Sequence, residues 1–479
     1  MKNIKRFTLV IFLIGLSYSC SEDTLTEIDT NPNVVNDAPL SSLLPQLVIA
    51  YSNEIIGAGA AVQAGFMSEQ TSGVLGFNSY TDLESTSAVA WENGYLMLSD
   101  LEFMKAKATE NEAWTYAGIS DILKVFTLTT LLDLYGDIPF SEALQSEIRD
   151  PAFDAQETIY PQLQDILDNA IENLGKSDSN PPSQDDLVFN GDQDLWTKTA
   201  YGLKARLFNK LSNLDATNSA QNALSAIGNS FTSADENFSI TIYNSSIENG
   251  NPYSVRQNGQ PQSAVGKVYD VMLSFTPNGI IEEDPRSILW FSTIDGVRIP
   301  APSGIANADF GEPRLDGAIY SKPLFLKSNA APLPILTYNE LLFIKAEANF
   351  RLGNNSEAYI QYQEAVELAL EESSDFSTEV QIDSADIVTY LEYSEVSPGE
   401  ENLTLENIIS QKYLYFFKLQ WIEAYNETRK FDFFSATNPE GRANRMLYPI
   451  SEVTRNPNTP SGVNFSTIFN SSTKLIWAK

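Results

Sequence analysis

The sequence predicts a mainly α-helical protein of antiparallel helix pairs, interrupted by one loop-rich insert that contains short β-strands. Three observations predict it. Apolar residues recur at helical spacing along most of the chain after about residue 39; short turns separate these stretches; and residues 230–332 break the pattern with Gly, Pro, Asn and Ser. A length of 479 residues, with 43% hydrophobic residues, 26 Phe and 21 Tyr, is enough to bury a large core.

In chain order, Lys2, Lys5 and Arg6 precede an apolar run of ten residues, 7–16. A bilayer-spanning helix needs about 20, so the run fits the apolar region of a secretion signal. It ends in Leu16-Ser17-Tyr18-Ser19-Cys20, and Cys20 is the chain's single cysteine. This arrangement resembles a bacterial lipoprotein processing site. The resemblance implies removal of residues 1–19 and acylation of Cys20 on its thiol and new amino group. Several acyl chains hold a protein on a membrane where one binds only marginally. Ser21-Glu22-Asp23 resembles the acidic export signal of surface-exposed lipoproteins in Bacteroidota, which implies an outer-membrane location facing the cell exterior. Residues 20–38, polar and containing Asn31-Pro32-Asn33, read as a lipidated tether into a binding domain at 39–479.

Within that domain the spacing predicts helices over about 40–70, 87–108, 118–135, 157–174, 193–211, 215–228, 355–372 and 382–392. Ile119, Ile122, Leu123 and Phe126 mark one apolar face; Leu341, Ile344, Ala348 and Leu352 another; Leu405, Ile408, Ile409, Tyr413, Phe416 and Phe417 a third. Small and aromatic residues alternate around a turn at Ala346, Ala348, Leu352-Gly353, Ala358, Tyr362 and Ala365, which resembles a tetratricopeptide unit. The repeat is weak elsewhere, so the array is irregular and tetratricopeptide-like. Residues 176–192 are polar and Pro-rich and read as a surface loop. In the insert, 238–243 and 288–294 are β-branched and aromatic and read as strands.

Composition removes several chemistries. There is no histidine, so Ser-His-Asp and Cys-His nucleophiles and His-ligated zinc or iron sites are excluded; one cysteine excludes internal disulfides. The formal net charge of −33 becomes more negative by three on loss of Lys2, Lys5 and Arg6. Such a surface repels nucleic acid and bare anionic membranes. No cofactor is expected; oxygen-ligand calcium sites stay open as structural sites, although no loop has an EF-hand pattern.

A family becomes recognisable at residues 133–143, Asp-Leu-Tyr-Gly-Asp-Ile-Pro-Phe-Ser-Glu-Ala. Gly136 can end a helix and Pro139 prevents its continuation. The stretch resembles a signature of the SusD/RagB family. Further marks follow in that family's order: Trp196 with Lys204-Ala205-Arg206-Leu207; Thr337-Tyr338-Asn339-Glu340 with Ala346-Glu347-Ala348; Gln411-Lys412-Tyr413 with Trp421 and Glu423; and Arg445-Met446-Leu447-Tyr448-Pro449 with Glu452 and Asn456. The resemblance covers nearly the whole mature chain. It implies a non-catalytic, cell-surface lipoprotein that captures oligosaccharides and passes them to a SusC-like TonB-dependent outer-membrane transporter; some members carry peptides instead. Asp133 and Asp137 can be read as paired acid–base carboxylates, but their place at a helix end favours an architectural role.

Sugar rings present an apolar face, so glycan sites use exposed aromatics as platforms, with Asn, Asp and Arg fixing the hydroxyls. Two loops qualify. Phe77, Asn78 and Tyr80 lie in 71–85, with Trp91 shortly after; Trp290, Arg298, Asn307 and Phe310 lie in 290–310, around the Asp295-Gly296 turn. Trp290 and Phe291 would alternate on a strand, so only one of them can face out easily. Tyr243 and Tyr253 are weaker candidates. Trp196 and Trp421 fall on helices and read as core. Four readings stay open: glycan capture, a RagB-like peptide carrier, a carboxylate-dependent glycoside hydrolase, and a purely structural surface protein with no exposed aromatic platform.

Overall fold

The computed structural model describes residues 38–57, 59–73, 83–259, 262–264, 266–301, 320–376, 380–431, 433–436 and 441–479. Residues 1–37, which include the predicted signal sequence, Cys20 and all but the last residue of the predicted tether, lie outside them. No helix among the described residues is long and apolar enough to cross a membrane.

Helices α1 (Leu40–Ala50), α2 (Gly59–Met67), α3 (Leu83–Glu110), α4 (Trp114–Tyr135), α5 (Gln156–Leu174), α6 (Gln193–Lys210) and α7 (Ala216–Ile227) make the first half. The predicted helix over 40–70 is broken. After α1 the chain widens into a π-helical turn, Tyr51–Ile56, and bends at Gly57. A Cβ on Gly57 would lie 2.4 Å from the Ser52 carbonyl oxygen and 2.5 Å from Pro252, so only glycine fits under the insert there. Helix α4 is the hub: nearly every residue from Thr115 to Tyr135 is buried, because neighbouring helices cover all its sides. In α5, Ile159, Tyr160, Leu163, Leu167, Ala170 and Leu174 form one buried stripe. Side chains set the helix starts: Asp192 accepts from the Leu195 N–H and Asp215 from the Asn218 N–H.

The second half contains α11 (Tyr338–Arg351), α12 (Asn355–Glu371), α13 (Ser384–Leu391), α14 (Leu405–Phe416), α15 (Trp421–Lys430) and α16 (Ile450–Arg455). Helices α11 and α12 are the tetratricopeptide-like pair read from sequence. Ala346, Ala348, Ala358 and Ala365 are buried between them, and Tyr362 fills the gap and donates its hydroxyl to the Val396 carbonyl at 2.9 Å. Thr337 caps α11, and Thr404 with Asn407 forms a capping box on α14.

The insert joins these halves. Its neck is closed by antiparallel pairing of β4 (Phe238–Ile240) with β6 (Leu333–Leu336). Inside it lie α8 (Pro252–Gly259), β5 (Gln262–Ala264), α9 (Gly266–Leu273) and the short α10 (Ser287–Trp290). Strand β5 pairs with β1 (Thr71–Gly73), and β2 (Ile138–Pro139) pairs with β3 (Phe153–Asp154), both antiparallel. The strand expected over 288–294 is instead one helical turn followed by extended chain. Leu289, Trp290 and Phe291 are all buried, so no alternation exists for a strand to satisfy.

The centre of the scaffold is ionic. Arg206 of α6 donates to Glu340 of α11 at 2.6 and 2.5 Å and lies 3.5 Å from Glu423 of α15. Lys210 pairs with Asp133, which also accepts from Asn426 at 2.8 Å. Glu347 is fully buried among Lys430 at 3.0 Å, Arg351 at 3.1 Å and Lys412 at 3.5 Å. Burial alone would raise the Glu347 carboxyl's pKa, but Lys430, Lys412 and Arg351 outweigh it and hold the group far below the usual carboxylate range. Removing one member of such a cluster strands its partners without compensation.

Candidate functional site

Strand β1 is aimed by a braced turn. After α2 the chain reverses through 68–70 with Glu69 at φ 60°, a left-handed conformation unusual for a residue with a side chain. Tyr413 of α14 donates its hydroxyl to the Ser68 and Glu69 carbonyls at 3.0 and 3.2 Å, and Gln70 donates to the Tyr413 carbonyl at 2.7 Å. Arg442 adds bonds to the Met67 carbonyl at 2.9 Å and the Glu69 carboxylate at 3.3 Å. The chain then enters β1, where Thr71, Ser72 and Gly73 face Ala264, Ser263 and Gln262.

The other end of β5 holds the second loop. The Gly266 N–H donates to the Ala301 carbonyl at 2.9 Å. Ser321 closes the base of this loop: its N–H donates to the Ile299 carbonyl at 2.7 Å, its hydroxyl donates to the Ser292 carbonyl at 2.6 Å, and it accepts from the Ile299 N–H at 2.8 Å. Ile294 pairs with Val297 across a tight turn in which Asp295 and Gly296 have φ of 52° and 83°. Residues 262–264 and Gly266, two positions apart in the chain, therefore hold the roots of both loops that the sequence singled out. Phe77, Asn78, Tyr80, Asn307 and Phe310 themselves lie outside the described residues.

Beside these roots is a ledge. Tyr269 of α9 is half-buried and stands T-shaped on Phe291, with ring centroids 5.5 Å apart. Arg298 donates to the exposed Glu282 carboxylate at 2.7 Å and to the Ser287 carbonyl at 3.1 Å. Partial burial and the Glu282 charge raise the Tyr269 pKa against the pull of Arg298, so the phenol keeps its proton and can donate. The ledge thus offers one aromatic ring, a hydroxyl, a guanidinium fixed by an ion pair, and carboxylates at Glu282 and Asp270. Tyr269 and Glu282 were not singled out from sequence. The signal is Val268 and Met272, buried four residues apart, which leave Tyr269 to the flank of α9.

The structure corrects other expected contacts. Trp290 is fully buried, T-shaped on Phe417 at 5.1 Å and under the Arg286 guanidinium. Phe291, only 1% exposed, serves as the support for Tyr269. Both are internal because Arg286, fully buried, clamps this part of the insert inward: it binds Asp284 at 2.9 and 2.6 Å, Gln411 at 3.0 Å and Tyr390 at 2.8 Å. Trp91 is 4% exposed, boxed by Tyr95, Tyr135, Phe153 and Tyr448 with centroids 5.0–5.9 Å away. Tyr253 is buried on Trp421 at 4.6 Å, and Tyr243 is half-buried. Trp196 and Trp421 are core, as the sequence predicts. Asp133 is held by Lys210 and Asn426, while Asp137 accepts from Gln156 at 3.1 Å, so both brace the end of α4 at Gly136, whose φ is +79°.

Two small pockets also indent the scaffold. One of about 40 Å³ lies beneath Tyr253 and Trp421, and one of about 70 Å³ lies beside Lys418 and Glu372. Burial lowers the Lys418 pKa to about 8 although Glu372 and Asp375 favour its charge. Among the described residues no group of three or more acidic, His or Cys side chains is placed to hold a metal ion.

Residues 32–450 match the profile of a family described as SusD-like, starch-binding and associating with the outer membrane. Among solved structures, a SusD/RagB family protein from Bacteroides thetaiotaomicron superposes with a TM-score of 0.80 at 23% identity, over 92% of this chain and 99% of that one. A chitin-binding SusD homolog from Flavobacterium johnsoniae gives 0.72 at 16% identity, over 92% and 98%. A protein described as chitin-binding gives 0.73 at 20% identity, over 91% and 99%. No curated protein matches the chain in sequence.

Proposed function

This chain belongs to the SusD-like family, and from that premise we propose that it is a glycan-capture lipoprotein that binds by stacking and hydrogen bonding, without catalysis. The observation that carries the reading is that residues 262–264 and Gly266 hold the roots of both candidate loops beside Tyr269 and the Arg298–Glu282 pair. In this reading Tyr269 takes the apolar face of a sugar ring, and Arg298 and Glu282 grip its hydroxyls. Phe77, Asn78, Tyr80, Asn307 and Phe310 extend the contact from segments rooted at the same place. The chitin-binding relatives and the starch-binding family description support a polysaccharide ligand. The architectural roles of Asp133 and Asp137 support binding without turnover. Anchoring through Cys20, exposure on the cell exterior and delivery to a SusC-like TonB-dependent transporter complete the proposal.

The test is native affinity electrophoresis of the chain lacking residues 1–20 through gels containing different polysaccharides. Retardation by one glycan, lost in Tyr269→Ala, is the expected result. Retardation unchanged by Tyr269→Ala moves the site elsewhere. Failure of a broad panel, with binding of peptides instead, replaces the glycan reading by the peptide one. Breakdown of the bound glycan by the purified protein overturns the non-catalytic part.

A further inference from the structure

In a chain with 19% charged residues, positions 456–473 contain no Asp, Glu, Lys or Arg. Asn, Ser and Thr dominate the stretch, which belongs to the C-terminal segment and lies outside the insert. At its centre Phe465 is 44% exposed, in T-shaped contact with Phe469 at 5.7 Å and 77°. Around it Asn464, Ser466, Asn470, Ser471 and Ser472 are exposed.

The ring sits on a fixed base. Ile468 is fully buried below it, and its carbonyl accepts from the Asn444 N–H at 2.7 Å. The Asn444 amide also holds the Asn470 carbonyl at 2.8 Å. Asn464 accepts from the Ser466 N–H at 3.0 Å, and Thr467 donates its hydroxyl to the Gly462 carbonyl at 2.7 Å. An aromatic ring so braced loses little freedom on binding.

We infer that Phe465 and its Asn/Ser surround form a second carbohydrate-contact surface, selective for a neutral polysaccharide and separate from the ledge at Tyr269. Three arguments lead there. An exposed ring flanked by hydroxyls and amides matches the two-sided chemistry of a sugar, apolar on its C–H face and polar at its rim. Protein interfaces favour aromatic residues, Met and Arg and are poor in Ser; this patch has the aromatic ring but sets it among Ser and Asn, with no Met or Arg in 456–473. The nearest charged residues along the chain, Arg455 and Lys474, lie beyond both ends of the stretch, so it supplies no charge to recruit an anionic chain. A second contact on the same polymer raises retention through effective concentration without a stronger primary site.

Phe465→Ala and Tyr269→Ala, singly and together, run through gels containing amylopectin or glycol chitin, test this. In a gel that retards the unaltered protein, Phe465→Ala should be held at least threefold more weakly, Phe465→Trp should restore retention, and the double variant should fall below Tyr269→Ala alone. Phe465→Ala migrating like the unaltered protein in every such gel overturns this second surface and leaves the primary proposal intact. No retardation of the unaltered protein in either gel overturns the surface for these two neutral polymers, while the primary proposal is judged on the wider panel.

Discussion

The ionic centre and the ledge of the insert are built from similar residue types and do opposite things. In the centre, Glu347 is fully buried and surrounded by three cations. On the ledge, Arg298 is ion-paired to Glu282, whose side chain is 53% exposed. The first arrangement ties five helices together, α4, α6, α11, α14 and α15; the second leaves polar groups where a ligand can reach them. The charged residues Asp133, Arg206, Glu340, Glu347, Lys412 and Glu423, which are among those that carry the family resemblance, all belong to the first. These positions therefore report the scaffold and do not themselves identify which glycan is bound.

Substitutions can break this contrast. The largest effect should come from Glu347→Ala, which strands the buried Lys412 and Lys430 and the partly buried Arg351 and should cost about 3–5 kcal/mol in urea denaturation; a loss below about 1 kcal/mol would show the cluster to be tolerant of vacancy. Trp290→Ala, first expected at the ligand, should instead behave as a core truncation of about 3–5 kcal/mol. Tyr269→Ala should do the reverse. Its glycan affinity should fall about tenfold, or roughly 1.4 kcal/mol, with a melting temperature within a few degrees of the unaltered protein.

The smallest effect is electrostatic. Lys418 in the fold has its pKa near 8, below its ordinary value. Between that pH and the ordinary lysine value the unfolded chain keeps a proton that the fold lacks, so stability rises with pH. From pH 8 to 9 the gain should be on the order of 1 kcal/mol. Lys418→Met should flatten that rise; an equal rise in both proteins would assign it to another group.

How much the sequence disclosed follows the same division. The helices were legible because their apolar faces repeat, as in α5 and α11, and the tetratricopeptide-like pair was legible from Gly353 and Tyr362. The break at Gly57 was not, because it depends on Pro252, nearly 200 residues away. Trp290 was misassigned because an apolar run of that length suits a buried helical turn as well as a strand. The position of Arg286 among Asp284, Gln411 and Tyr390, which decides the matter, is a tertiary fact. Arg298 was found from its turn, whereas Tyr269 was hidden in a helix too short to show a clear period.

Ser321 has a consequence beyond the site it borders. With its bonds to Ile299 and Ser292 in place, the backbone on either side of 302–319 is locked before the intervening sequence is specified. An insertion between two fixed ends adds only about 0.6 kcal/mol of entropic cost for each doubling of its length. The closure at Ser321 therefore marks a place where the sequence between 302 and 319 can be lengthened or replaced without loosening the ion-paired centre, a route open to evolution and to engineering alike.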